Sequence, residues 1–146
     1  MTPTLIGRFQ TRIFLIAVIG SLWTLIITPA LPLPSDVPLG TKYQSTFIVL
    51  AVVLVVGFLW DCLYFGLQQF RWEKDWPTMY GLLTGINEGL VTYLIVNSGN
   101  LPGHPMVTLP AFIVQFGTVW VLTWAFVIGP IRVPFLRWRF RGGRLI

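Results

Sequence analysis

The stretch TFIVLAVVLVVGFLWDCLYFGLQQF, Thr46 to Phe70, decides the fold, because in all its length it carries one charge, Asp61. Wound as a helix at about 1.5 Å per residue it reaches roughly 37 Å, more than the hydrocarbon core of about 30 Å. Inside that core the backbone N–H and C=O groups have no water to bond, so a lone segment crosses it as a helix.

Three further apolar runs lie on either side. The first spans roughly 13–28 and stops at Pro29, the third 77–96 and the fourth 109–129. The chain is therefore expected to be an all-α integral membrane protein, a single transmembrane domain over 1–146 with four helices. Composition agrees: 55% hydrophobic, 10% charged and a mean hydropathy of +0.75 leave too little polar surface for a water-soluble domain of this size. Seven Trp and four Tyr suit the interface with water. Arg8 and Arg12 before an apolar run could pass for a secretory signal, but no small-residue cleavage site precedes Pro29, so the run is read as a retained helix.

The connections differ in kind. Pro29 to Gly40 holds four prolines and reads as an extended loop, either a stiff spacer or a docking surface. Arg71 to Trp76 is so short that spans two and three are expected to form an antiparallel hairpin, with Asp75 capping the helix that opens at Pro77. Asn97 to Pro105 is a turn-rich loop, and a basic tail occupies 131–146.

Charge orients the bundle. Arg8, Arg12, Arg71, Lys74 and the five tail arginines fall on one side and Lys42 alone on the other, so both termini are expected in the cytoplasm. Eight Arg against two Lys hints at a GC-rich genome and a bacterial inner membrane. The net charge of +5 is spread between spans, which argues against nucleic acid as a partner. A single cysteine, Cys62, excludes an internal disulfide and a cysteine metal cluster.

Asp61 and Glu88 carry the chemistry. Each lies about 14–16 Å inside the cytoplasmic edge, close to mid-membrane. Asp61, Tyr64 and Gln68 share one helical face, and Tyr80, Thr84, Asn87 and Glu88 line another, together a polar seam between spans two and three. An ionised carboxylate there costs on the order of 3 kcal/mol or more unless neutralised. With the first span beginning at Ile13, no Lys, Arg or His lies within the membrane. Three solutions remain open: a proton shared between the acids, a bound cation, or a base supplied by another subunit or ligand. Two carboxylates without histidine make a poor transition-metal cage, so no metal site is assigned.

Gly81, Gly85 and Gly89 form a small-residue ridge that lets another helix approach, of this chain or a neighbour. Gln115, Thr118 and Thr123 suit interhelical hydrogen bonds, and His104 reads as a solvated loop residue. Arg132, Arg137, Trp138, Arg139, Arg141 and Arg144 interleave cations with aromatic groups, a composition fit for lipid headgroups or an acidic partner.

No nucleotide loop, no nucleophile beside a base and no intramembrane histidine favour an enzyme, and the sequence requires no cofactor. The first expectation is a small accessory or assembly subunit of a larger bacterial membrane complex, respiratory or photosynthetic, with lipids and other membrane subunits as partners. The alternative is a small proton- or cation-coupled transporter using the intramembrane carboxylates. A lipid- or quinone-directed enzyme would use the same acids as general acid and base, but lacks an electrophile.

Overall fold

The computed structural model describes residues 4–70, 78–103, 105 and 107–145, with positions 78, 137 and 139 described by their backbone alone. The connection 71–77 with its Asp75 cap and Pro77 start, His104, and the side chains of Arg137 and Arg139 lie outside the described residues.

The described chain is helical, with no strand: α1 Leu5–Ala30, α2 Leu39–Gln69, α3 Thr78–Val96, α4 Leu109–Ile128 and a short α5 Leu136–Phe140. The first four are long and apolar enough to cross a membrane. Leu22, Ile26, Leu59, Ile86, Leu90, Leu94 and Ile113 stand exposed along their outer faces, an apolar exterior that suits lipid.

Two helices begin earlier than the apolar runs suggest. Thr4 caps α1, its hydroxyl accepting from the Gly7 N–H at 3.2 Å, so the first helix starts at Leu5 and not at Ile13. Arg8 and Arg12 thereby become helical residues. α2 likewise starts at Leu39, directly after Pro38, and not at Thr46. Its extra turns are polar because they pack on the end of α1: Tyr43 Oη donates to the Leu25 carbonyl at 3.0 Å, and the Thr28 and Thr46 hydroxyls are 3.1 Å apart.

Inside α1, Leu15–Gly20 forms one widened π turn. Its closing residue, Ser21, sends both its backbone N–H and its hydroxyl to the Ile16 carbonyl. Such turns rotate the residues before them relative to those after, and here the turn lies directly beyond Arg12.

The core lies in the half of the bundle away from the termini, where Val49, Leu50 and Val53 of α2 meet Ile16 of α1, Val96 of α3, and Ala111, Phe112 and Val119 of α4. The proline-rich loop closes that end: Leu31 is buried in the core, and Thr108 donates to the Pro32 carbonyl at 3.0 Å. At the opposite end the tail folds back on α1. Thr4 N donates to the Gly142 carbonyl at 2.8 Å, Thr11 Oγ1 to the Gly143 carbonyl at 3.0 Å, and Leu145 N to Gln10 Oε1 at 2.9 Å. Gly142 and Gly143 reverse the chain with φ of 62° and 83°, a backbone region that side chains disfavour.

Candidate functional site: an arginine held between two acids

The π turn, the Thr4 cap and the antiparallel course of α1 against α2 bring Arg12 opposite Asp61. Arg12 Nε donates to Asp61 Oδ2 at 2.7 Å and Nη2 to Oδ1 at 3.2 Å. The other edge of the same guanidinium engages α3, with Nη1 to Glu88 Oε1 at 2.6 Å and Nη2 to Oε2 at 3.3 Å. One planar cation thus takes Asp61 through its Nε–Nη2 edge and Glu88 through its Nη1–Nη2 end, each by a paired set of charge-assisted bonds. Glu88 is 1% exposed, which is tolerable for an ionised side chain only with such a partner.

This overturns the expectation that the membrane interior holds no base. The error follows from the helix boundary: with α1 starting at Leu5, Arg12 belongs to the span. The acids need neither a shared proton nor a cation between them, and Arg12 takes the position that a foreign base would fill.

The arrangement depends on Gly57. It stands one turn before Asp61, and a Cβ there would collide with the Arg12 guanidinium. Phe9 and Phe58, packed edge to face at 5.0 Å, fix the helices beside it. One turn toward the N-terminus of α1, Arg8 Nη2 donates to Gln68 Oε1 at 2.7 Å, while its buried Nε has no acceptor.

A cavity of about 300 Å³ opens beside the cluster. Arg8, Arg12, Asp61 and Glu88 line it together with Thr11, Tyr64, Tyr80, Thr84 and the rings of Trp120, Trp124 and Trp138. Its floor is Ile16, Trp120 and Thr123, which also border a void of only about 10 Å³ enclosed by Val49, Val53, Phe116, Val119 and Gln115. Beyond that apolar plug Gln115 Nε2 donates to the Thr46 carbonyl at 2.8 Å, and its Oε1 is buried without a partner.

Of the seam expected from sequence, Asp61, Tyr64, Tyr80, Thr84 and Glu88 meet at this cavity, and Gln68 stands beside it through Arg8. Asn87 does not: it is exposed on the outside of α3, since consecutive helical residues are about 100° apart and Glu88 claims the inner face. The glycine ridge receives the aromatic ladder of α4, with Gly89 against Phe116, Gly85 against Trp120 and Gly81 against Trp124. That pairing runs in opposite directions along the two helices, which makes them antiparallel. Phe116 and Trp120 stack with centroids 5.8 Å apart, and Trp120 Nε1 donates to the Leu82 carbonyl at 3.1 Å.

In the tail, Trp138 is turned inward and not toward lipid. Its indole N–H donates to Thr11 Oγ1 at 2.9 Å and its ring joins the cavity wall, because the reversal at Gly142 presses the tail onto α1. Arg132 lies 5.9 Å from the same ring, while Arg141 and Arg144 are exposed.

Sequence reasoning missed Gly57, Trp120 and Trp124, read Arg8 and Arg12 only as orienting charges, and gave Trp138 to lipid or a partner. The signal for the arginines was present in Thr4 followed by LIGRFQTRIF, a capped segment with both cations four residues apart on one face. Among the described residues no group of three His, Cys, Asp or Glu converges on a metal site, and Arg12 engages all four carboxylate oxygens of the pair. Comparison with protein-family models, curated proteins and solved structures finds no match to this chain.

Proposed function

We propose that this protein is a small proton-coupled transporter of a bacterial inner membrane, with both termini cytoplasmic, α2 and α3 as an antiparallel hairpin, and the Arg12–Asp61–Glu88 cluster as its coupling centre. The observation that carries the reading is the bridging of both acids by Arg12 at the inner end of a cavity large enough for a small molecule. A carboxylate that accepts a proton loses its ionic hold on Arg12, so proton binding and helix packing are linked at one point. The cavity meets an apolar floor at Ile16 and Trp120, beyond which lie Gln115, Thr46 and Thr28. An apolar floor with polar groups beyond it suits a carrier that opens to one side at a time. The exposed tail cations, Arg132, Arg141 and Arg144, suit anionic headgroups on the cytoplasmic face.

Proton flux is the test. Liposomes containing the purified protein and a luminal pH dye, with the membrane potential clamped and a panel of small organic acids, amides and amines supplied outside, should dissipate an imposed pH gradient faster than protein-free liposomes given the same compounds. Glu88→Gln and Asp61→Asn should abolish the difference. Wild-type rates equal to those of empty liposomes would overturn the reading.

The competing proposal is an accessory or assembly subunit of a larger membrane complex. One support for it, acids that could take a base from another subunit, is answered inside the chain by Arg12, and the glycine ridge is filled by α4. Stoichiometric membrane partners in a mild-detergent purification, lost on Glu88→Gln, would favour it.

A further inference from the structure

The charges around the cavity say which ligand it can take. Among the described residues, the titratable or charged groups that line it are Arg8 and Arg12 from α1, Asp61 and Tyr64 from α2, and Tyr80 and Glu88 from α3. Among the described groups, two guanidinium groups and two carboxylates cancel, which leaves their sum neutral. They are not equivalent, however. Arg12 spends four of its five N–H donors on the acids, whereas Arg8 lies in the field of Asp61 but hydrogen-bonds the neutral Gln68, with its Nε unpaired. Arg8 stands at the wall of a chamber whose other sides include indole and phenol rings, and the N–H donors it does not spend on Gln68 are cationic.

We infer that the cavity binds a monocarboxylate with a flat apolar body, its carboxylate on Arg8 and its ring among Trp120, Trp124 and Trp138, together with one proton on the Asp61–Glu88 pair. The inference deepens the transporter reading and rests on it for the identity of the site. Charge balance makes the proton obligatory. An anion added to a neutral site in a low-dielectric bundle leaves one negative charge uncompensated, and protonation of one carboxylate restores neutrality. An organic cation has no such remedy, because carboxylates already ionised against Arg12 have no proton to release. A guanidinium also meets a carboxylate in a fork of paired bonds, which favours this anion over a spherical one. At about 300 Å³ the chamber is at the small end of ligand pockets and admits a single-ring acid.

Calorimetric titration of the full-length protein in detergent tests this with benzoate, the neutral benzamide and the cationic benzylamine. Benzoate should bind at least tenfold more tightly than either, with close to one proton taken up per benzoate, read by repeating the titration in buffers of different ionisation enthalpy. Arg8→Gln should weaken benzoate about tenfold without affecting benzamide, and Arg8→Lys should recover part of the loss. Glu88→Gln, or Asp61→Asn if the first does not fold, should keep benzoate binding and lose the proton uptake. Benzylamine binding as tight as benzoate, absence of benzoate binding, an unaffected Arg8→Gln, or binding without proton uptake would each overturn the inference. Benzoate binding without proton flux in liposomes would remove the transporter reading and leave the ligand assignment standing; flux without benzoate binding would do the reverse.

Discussion

The guanidinium of Arg12 on α1 occupies the space that a side chain at Gly57 on α2 would fill. The cation that pairs with Asp61 and Glu88 lies against α2 at Gly57, and the missing Cβ is what makes room for it. A methyl group there cannot be accommodated by a small rotation of Arg12, whose position is set by bonds to two other helices. Gly57→Ala is therefore expected to lower stability by about 1–3 kcal/mol through overpacking. In an Arg12→Met background, with a flexible side chain in place of the fixed plane, the same substitution should cost less than half as much. Thermal unfolding of the four proteins in detergent gives the comparison, and additive costs would show that Arg12 and Gly57 are not coupled.

The acids should tolerate joint neutralisation far better than loss of their partner. Arg12→Met alone leaves two buried carboxylates facing one another, at a cost on the order of 3–5 kcal/mol. Adding Asp61→Asn and Glu88→Gln removes both charges and should recover most of the loss, since amides can bond to one another across the gap. Arg12→Lys should fall between, because a single ammonium cannot make paired bonds to both carboxylates. The check is the order of unfolding midpoints: a triple variant less stable than Arg12→Met would contradict the account.

These relationships mark what could be read from the chain alone. Four apolar runs and their spacing announce the helices, because lipid imposes length and internal hydrogen bonding on any crossing segment. Asp61 and Glu88 stand out for the same reason, as charges where charge is costly. Arg12 was hidden by a rule that treats arginine before an apolar run as a cytoplasmic anchor. It is sound for an isolated segment and fails where another helix offers carboxylates, a long-range fact that no local window contains. Gly57 was silent for a similar reason: the need for a missing Cβ is visible only once the occupant of that space is known. The inward turn of Trp138 depends on a chain reversal that joins residues at opposite ends of the sequence.

The glycines of α3 should not be equivalent. A Cβ at Gly85 would collide with the Trp120 indole, which is anchored by its bond to the Leu82 carbonyl and by stacking on Phe116. At Gly81 the nearest atom is Trp124 Cδ1 at 3.6 Å, an ordinary contact. Gly85→Ala is expected to cost about 1–3 kcal/mol by overpacking, and Gly81→Ala to change stability little. Because Trp120 also floors the cavity, Gly85→Ala should shift tryptophan emission and Gly81→Ala should leave it in place. Equal effects at both positions would mean that the ridge acts only through helix flexibility.

The fold of the tail onto α1 predicts a local effect that leaves the bundle intact. The Gly142 carbonyl accepts from both the backbone N–H and the hydroxyl of Thr4, and Gly7 lies so close beneath that a Cβ there would meet this carbonyl. Gly7→Ala must push the tail outward and break those bonds, each worth roughly 1 kcal/mol. Thr4→Val keeps the backbone bond to Gly142 and removes the hydroxyl's bond to it, together with the cap that the hydroxyl gives the first turn of α1. Limited trypsinolysis at the exposed Arg141 and Arg144 reads the difference, since cleavage requires the local chain to leave its seat. Cleavage should quicken about tenfold or more in Gly7→Ala and by a smaller factor in Thr4→Val. The midpoint of global unfolding should change little in either, because the Arg12 cluster and the core are untouched. A large fall in that midpoint for Gly7→Ala would instead make the tail part of the bundle's cooperative core, and the cavity wall formed by Trp138 a fixed surface.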